Sequence, residues 1–320
     1  MNTSRNDENL TGTSTTIENT KEEASKTEIE QGTNAIERNT ASALLQSRNT
    51  KLELYIKENL PFIMKSGIRE LDRLTGGFWG PNLYLIAGIP GSGRTGLIST
   101  LIQYMHEKYK ATMTCFSLEQ DINDFLDKLI SNTLRAPINE VNFSRTIDQK
   151  NFNEHMHIAS EFDSMNLYIY GHEKSTLSSI YNTLKSQCKK PDIVFIDSFN
   201  FMKSSEQPFS YDLKEYNEIV SGLKSMCYEF QIPIVVTCSA EATPYLKRGD
   251  PDLSDLRQYG DLSHIADQVI FLNCRKHRKQ TRNRQVDCCV IKNRLGDEGK
   301  VPISFNADYY RFENEDNESE

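Results

Sequence analysis

A glycine-rich loop between an apolar run and a helical pattern carries the residues with the clearest capacity for chemistry. The run Leu83 to Ala87 leads into Gly-Ile-Pro-Gly-Ser-Gly-Arg-Thr, and a helical pattern begins directly after it. Glycines let a backbone turn its N–H groups inward around phosphate oxygens, and the helix N-terminus adds partial positive charge. This context predicts a P-loop for ATP, with the Thr95 hydroxyl as a ligand of Mg²⁺. The predicted nucleotide-binding residues are Gly88, Ile89, Pro90, Gly91, Ser92, Gly93, Arg94 and Thr95.

Arg94 departs from the P-loop motif, which has lysine at this position. Arginine keeps the positive charge but spreads it over a larger planar group, so the exchange is not conservative at a site built for a compact ammonium. Phosphoryl transfer depends almost wholly on positioning and electrostatics, so hydrolysis can suffer while nucleotide binding survives. From the sequence we therefore predict that Arg94→Lys raises ATP turnover.

Two carboxylates follow apolar runs that we predict to be strands. Asp197 ends Ile-Val-Phe-Ile-Asp, and a P-loop needs such a carboxylate to hold the water shell of Mg²⁺. Glu119 ends Cys-Phe-Ser-Leu-Glu and could polarise the attacking water as a catalytic residue. Acidic residues are common at strand ends, so the weight of both assignments comes from their position downstream of the P-loop.

Short apolar runs alternate with longer helical patterns from residue 82 onward, which is typical of an α/β fold with a mostly parallel sheet flanked by helices. The clearest helix covers 211–230, where apolar residues recur at spacings of three and four. The last three strands are close enough together to be antiparallel. The predicted strands are Leu83–Ala87, Thr112–Ser117, Leu167–Tyr170, Ile193–Ile196, Ile234–Cys238, Val269–Leu272, Val286–Lys292, Val301–Phe305 and Tyr309–Phe312.

Composition divides the chain into a central domain and polar ends. Residues 1–50 are rich in Asn, Thr, Glu and Ser and contain no aromatic residue, which predicts a disordered tail. Residues 51–62 read as a linker with helical potential, since apolar residues around 41–56 could form a short helix; 63–313 form the main domain and 314–320 an acidic tail. The net charge of −8 argues against a surface coated with cations, but local loops could still bind DNA.

The sequence gives no sign of a membrane or secretory protein. No apolar run approaches the ~20 residues that a membrane-spanning helix needs, and the N-terminus lacks the apolar stretch of a signal peptide. The seven cysteines are odd in number and form no CxxC pair, which favours reduced thiols over a disulfide framework or a zinc site. We therefore predict a cytoplasmic protein with no membrane partner.

Several segments resemble the C-terminal motor domain of DnaB-type replicative helicases, over roughly 63–313. The resemblance implies a RecA-like P-loop NTPase fold, with no counterpart of the family's N-terminal helical domain. It also implies a DnaB-like ATP-dependent DNA helicase of replication, in which ATP binds between the subunits of a homo-oligomeric ring, a hexamer in that family. The segments that carry the resemblance are Lys65–Gly77, Phe116–Glu119, Leu253–Arg257, Ala266–Leu272, Val290–Gly296 and Tyr310–Glu313.

The same resemblance assigns roles to residues outside the P-loop. Lys292 and Arg294 match a pair that reaches across the subunit boundary toward the neighbour's terminal phosphate, which makes them catalytic residues in trans. Ser239 stands where the family has a glutamine that senses this phosphate. Lys247 and Arg248 lie in a segment that corresponds to a DNA-contacting loop, so single-stranded DNA is the expected partner, together with other replication proteins.

Three functions remain open from the sequence. The number of matched motifs favours an active helicase motor. Arg94, Ser239 and the unmatched N-terminal domain favour a hydrolysis-impaired relative that binds nucleotide as an accessory or regulatory component. A recombinase-like, DNA-dependent ATPase that forms filaments fits the segment before the P-loop but explains the C-terminal segments less well.

Overall fold

The computed structural model describes residues 40–57, 63–141, 162, 164–205, 212–241, 249–274, 283–294 and 296–314. The chain divides into two compact units, Met1–Pro61 and Phe62–Glu320. In the first unit, helix α1 covers Ala41–Lys57, so it begins inside the segment that the sequence predicted as a disordered tail. Apolar side chains on α1, such as Leu44 and Ile56, are largely exposed.

The second unit contains a mixed sheet with helices on both faces. Its helices are α2 (Arg69–Thr75), α3 (Arg94–Tyr109), α4 (Ile122–Leu134), α5 (Ile138–Val141), α6 (Leu177–Ser186), α7 (Leu213–Phe230) and α8 (Leu262–Ile265). Its strands are β1 (Leu83–Gly88), β2 (Met113–Ser117), β3 (Leu167–Tyr170), β4 (Ile193–Asp197), β5 (Ile234–Ser239), β6 (Gln268–Cys274), β7 (Asn283–Asn293), β8 (Gly299–Asn306) and β9 (Arg311–Asn314). No helix of the described ranges is both long and apolar enough to cross a membrane.

The strand order confirms the predicted mostly parallel sheet with antiparallel strands at its C-terminal end. The described strands lie in the order β3-β2-β4-β5-β1-β6-β7-β8-β9. Neighbours from β3 to β6 run parallel, while β6 to β9 pair antiparallel. Because parallel strands share one direction, the C-terminal ends of β1, β4 and β5 meet at one edge of the sheet, where ligands bind in open α/β sheets.

The central strands are buried on both faces, which explains their continuous apolar runs. In β1, Leu85 packs into one apolar cluster and Ile86 into the other. The first cluster includes the face of α7, and the second includes α3 and α4. Asp212 caps α7 by accepting a hydrogen bond from the backbone N–H of Glu215, which fixes the start of the helix predicted for 211–230 at residue 213.

The last strand begins two residues later than the sequence predicted. Residues 307–310 form a turn, in which Tyr310 has a φ of +50°. The Asn132 side chain donates a hydrogen bond to the Tyr310 carbonyl at 2.7 Å, and the Asn306 side chain accepts one from the Asp308 N–H at 3.0 Å. These side-chain bonds stabilise the turn against the strand preference of the aromatic residues.

Candidate active site

The glycine-rich loop joins the end of β1 to the N-terminus of α3, as the sequence predicted. Gly91 and Gly93 have φ values of +80° and +98°, a region that favours glycine. A Cβ atom on Gly91 would meet no heavy atom within 4 Å, so this side of the loop faces open space. A Cβ atom on Gly93 would lie 2.8 Å from Cζ of Phe312, so glycine is also required there sterically.

A cavity of about 340 Å³ lies over the loop, and two of the loop's buried polar atoms have no hydrogen-bond partner among the described residues. These atoms are Oγ of Ser92 and Nε of Arg94. Ser92 does not line the cavity and its Oγ lies against Gly88, whereas Arg94 lines the cavity. A buried donor without a partner costs about 1–3 kcal/mol, so an anionic ligand that reached Nε of Arg94 would stabilise the loop. Residues from elsewhere in the fold that line the same cavity are Glu119, Lys128, Arg284, Phe305, Ala307 and Tyr310.

The Arg94 side chain is buried and folds back onto the ends of two strands. Its Nη1 donates hydrogen bonds to the carbonyls of Gly88 at 2.7 Å and Ile89 at 3.2 Å. Its Nη2 donates to Oγ of Ser239 at 2.8 Å and lies 3.5 Å from Oε2 of Glu119. Arg94 therefore contacts both the loop and the residue expected to sense the terminal phosphate.

Asp197 ends β4 and is 1% exposed. Its Oδ2 accepts a hydrogen bond from the Thr95 hydroxyl at 2.7 Å, and its Oδ1 accepts one from the Thr237 hydroxyl at 2.6 Å. Burial raises the pKa of the Asp197 carboxyl above its usual value, although the hydrogen bonds from Thr237 and Thr95 oppose this shift. A divalent cation would favour the ionised carboxylate. Thr237 was not among the residues predicted from the sequence, where its signal is a hydroxyl residue within an otherwise apolar strand.

Thr95 and Asp197 fit the requirements of Mg²⁺, which prefers hydroxyl, carboxylate and water oxygens. The two oxygens lie within hydrogen-bond distance of each other and next to the loop that borders the cavity. These two residues would hold the ion together with phosphate oxygens and water.

Glu119 follows β2 and is tied to the end of β4. Its Oε2 accepts a hydrogen bond from the Ser198 hydroxyl at 2.9 Å, and its backbone N–H donates to the Asp197 carbonyl at 3.1 Å. The Glu119 side chain is 39% exposed, so it remains accessible to water. The carboxylate therefore borders the cavity at a fixed position, as a group that polarises water requires. Ser198 gave no recognisable signal in the sequence.

Ser239 ends β5 and is held by contacts from two other parts of the chain. Its backbone N–H donates to Oδ1 of Asn200 at 2.9 Å, and its carbonyl accepts from the Tyr259 hydroxyl at 2.6 Å. The Asn200 amide also donates to the Tyr259 hydroxyl. Ser239 is thus fixed at the edge of the site, and neither of the two residues that hold it was predicted from the sequence.

The other predicted site residues lie apart from this cavity or outside the described ranges. Lys292 donates hydrogen bonds to the carbonyls of Ser263 at 2.9 Å and His264 at 2.5 Å, and Arg294 donates to the His264 carbonyl at 2.9 Å. Burial lowers the pKa of Lys292 to about 8, with a smaller contribution from the charge of Arg294. Both cations therefore lie together against helix α8. Lys247 and Arg248 fall outside the described residues.

Comparison with known proteins places this geometry in a family. The family described as "DnaB-like helicase C terminal domain" matches residues 64–314. The chain is 28% identical over 279 residues to a "Probable replicative DNA helicase" of Trieres chinensis, an alignment that covers 82% of this chain and 60% of that protein. It is also 28% identical over 250 residues to "Replicative DNA helicase DnaB" of Treponema pallidum, covering 77% and 55%. The chain thus spans little more than half the length of these relatives.

Solved structures with the same fold support the predicted RecA-like architecture. A structure described as an ATPase domain superposes with a TM-score of 0.71 at 21% identity, covering 87% of this chain and 99% of that one. A structure titled "The Structure Of A DnaB-Like Replicative Helicase And Its Interactions With Primase" superposes with a TM-score of 0.69 at 22% identity, covering 90% and 71%. Since identity is low in both cases, these matches confirm the fold alone.

Proposed function

The chain belongs to the DnaB-like helicase C-terminal domain family, and from this premise we propose that it is the ATP-hydrolysing motor of a replicative DNA helicase. The observation that carries the proposal is the convergence of three groups on one cavity. These groups are the glycine-rich loop, whose Arg94 lines the cavity and has an unpartnered Nε, the Thr95 side chain, which donates a hydrogen bond to the buried Asp197 carboxylate, and the Glu119 carboxylate. Each lies at the edge of the sheet where open α/β folds bind ligands.

In this proposal the chain supplies positioning and charge to phosphoryl transfer. The loop's backbone N–H groups and the N-terminus of α3 hold the phosphates of ATP. Thr95 and Asp197 hold Mg²⁺, which when bound neutralises charge on the phosphate oxygens. Glu119 accepts a hydrogen bond from the attacking water and orients it. Ser198 keeps the carboxylate in place through its hydroxyl.

The position of the cationic pair, outside the cavity of its own chain, favours a ring. Lys292 and Arg294 lie together, away from the cavity residues of their own chain, and their donors are held by carbonyls at the end of α8. We propose that in a homo-oligomeric ring they reach the site of the adjacent subunit, where they stabilise charge on the terminal phosphate. Single-stranded DNA would bind near Lys247 and Arg248, and other replication proteins would act on the assembled ring.

One contact favours a second candidate function, a hydrolysis-impaired nucleotide-binding component of such a ring. Nη2 of Arg94 lies 3.5 Å from the Glu119 carboxylate. A persistent Arg94–Glu119 pair would occupy the carboxylate oxygen that the attacking water needs as its hydrogen-bond acceptor, and would therefore slow hydrolysis without preventing nucleotide binding.

Steady-state ATP hydrolysis with and without single-stranded DNA separates the two functions. Wild-type protein and an Asp197→Ala variant are compared at the same purity, so that the variant reports contaminating ATPase. The motor function predicts turnover that DNA stimulates and that Asp197→Ala abolishes. Turnover no greater than that of the variant, with nucleotide binding intact, would contradict the motor and leave the hydrolysis-impaired component. Filaments on DNA in place of rings, seen by electron microscopy, would contradict both.

A further inference from the structure

The guanidinium of Arg94 uses its two terminal nitrogens for different tasks. Nη1 closes the loop by hydrogen bonds to the carbonyls of Gly88 and Ile89, which a single ammonium group could also do. Nη2 points the other way, to the Ser239 hydroxyl and the Glu119 carboxylate. Because the guanidinium is planar and rigid, fixing one nitrogen also fixes the other. The Ser239 hydroxyl and the two carbonyls together set the orientation of the whole group.

Ser239 is a rigid anchor for this contact. It is the register partner of Gly88 in the parallel pairing of β1 and β5, so Arg94 bridges the ends of two adjacent strands. Its backbone N–H and carbonyl are held by Asn200 and Tyr259. Since serine is short, its hydroxyl lies close to the backbone and moves little. An anchored hydroxyl can therefore direct Nη2 with little loss of conformational entropy.

The position of Nη2 points to a role toward the last phosphate of the nucleotide. Glu119 borders the cavity where the attacking water would lie, and that water must face the terminal phosphate. Nη2 lies beside this carboxylate, whereas Nη1 is bonded to the Gly88 and Ile89 carbonyls. The Nε atom of the same group is buried and has no partner among the described residues, which is consistent with an anion as its missing partner.

We propose that Ser239 is a positioning residue for Arg94, and that the pair makes the site select nucleoside triphosphates over diphosphates. Nη1 supports the loop for either nucleotide, whereas Nη2, aimed by the Ser239 hydroxyl, contacts only the terminal phosphate of a triphosphate. Arg94 and Ser239 are therefore matched to each other, and replacing either one alone removes the selection. This inference rests on the proposed nucleotide site.

Calorimetric titration with Mg²⁺ tests the pair, using the non-hydrolysable imido analogue of ATP and, separately, ADP. The variants are Ser239→Ala, Ser239→Thr, Arg94→Lys and the double variant Arg94→Lys/Ser239→Ala. Ser225→Ala and Arg73→Lys serve as matched controls, because both residues lie on exposed helix surfaces away from the cavity. Thermal melts of the ligand-free proteins check that each variant is folded.

We expect Ser239→Ala to weaken binding of the triphosphate analogue about tenfold, as for loss of one hydrogen bond to a charged group, and to leave ADP affinity within about twofold. Arg94→Lys should lose the same selection, and the double variant should bind no more weakly than Arg94→Lys alone. Ser239→Thr, which keeps the hydroxyl, should retain the selection.

Two results would overturn the inference while leaving the nucleotide site intact. One is a loss of affinity in the double variant equal to the sum of the two single losses, and the other is an equal loss of affinity for both nucleotides in Ser239→Ala. Absence of binding of either nucleotide by the wild-type protein would overturn the proposed function and the inference together, so the two failures are distinguishable.

Discussion

Replacing Thr237 by valine removes one hydrogen bond to the buried Asp197 carboxylate while keeping the shape of the side chain. The bond is 2.6 Å long and lies between fully buried groups. A hydrogen bond to a charged group contributes about 1.5–3 kcal/mol. For a unit of this size, about 2–4 °C of Tm corresponds to 1 kcal/mol, so Tm should fall by about 3–12 °C at neutral pH.

The pH dependence of this loss identifies its cause. The Thr237 hydroxyl favours the ionised form of Asp197, whose pKa burial already raises. Without that hydroxyl the pKa of Asp197 in the folded protein rises further. The loss of stability in Thr237→Val therefore grows as pH rises through this pKa and shrinks as pH falls. The acid limb of the pH–rate profile for ATP hydrolysis should move to higher pH for the same reason.

Thr114→Val is the matched control for this prediction. Thr114 is also a fully buried strand threonine, but its hydroxyl donates to the neutral Gln187 amide at 2.9 Å. A neutral bond contributes about 0.5–1.5 kcal/mol, and its loss should not depend on pH in the acid range. Thermal denaturation and hydrolysis rates are measured for both variants between neutral and acid pH. An unmoved acid limb in Thr237→Val, or parallel behaviour of the two variants, would refute the reasoning.

Three further changes have expected outcomes that the structure supports. Burial lowers the pKa of Lys292 to about 8, so its side chain loses its charge as pH rises through that value, and turnover that needs the charge should fall there. Lys292→Arg should extend ATP hydrolysis to higher pH, and an unchanged alkaline limb of the pH–rate profile would argue against the role of Lys292. Gly93→Ala places a Cβ atom on a residue with a φ of +98° and brings it against Phe312. Thermal melts should show Tm lower by about 2–8 °C, and titration should show weaker nucleotide binding. Asp267→Asn removes the negative charge that pairs with the largely buried Lys224. The free energy of unfolding, measured by urea denaturation, should fall by about 3 kcal/mol, and a fall below about 0.5 kcal/mol would mean that the pair is solvated.

The sheet could be predicted from the sequence because each central strand is a short apolar run bounded by polar or glycine residues. The P-loop was recognisable because its spacing, the preceding strand and the following helix all agree. The last strand was predicted too early because the aromatic residues Tyr309 and Tyr310 favour strands. Hydrogen bonds with the side chains of Asn132, which is distant in the chain, and of Asn306, which is local, hold them in a turn instead.

The contacts around the site could not be predicted in the same way, because they join residues far apart in the chain. Thr237 reaches Asp197 only because β5 lies beside β4. Strand order also brings Ser239 next to Gly88 and hence to Arg94. This contact adds a second expectation to one made from the sequence. Arg94→Lys is predicted to raise turnover, and the pairing with Ser239 leads us to expect that the same exchange also loses selection for the triphosphate.

The most direct test of the central claim is Mg²⁺-dependent nucleotide binding by the wild-type chain, measured by titration of a fluorescent ATP analogue with and without Mg²⁺. A Thr95→Ala variant is titrated in parallel, because it removes the loop's proposed metal ligand while keeping Asp197 and Arg94. The account predicts that Mg²⁺ strengthens binding to the wild-type protein and has little effect on the variant. Binding that is absent, or that is equal with and without Mg²⁺ in both proteins, would contradict the assignment of the loop, Thr95 and Asp197 as the nucleotide site.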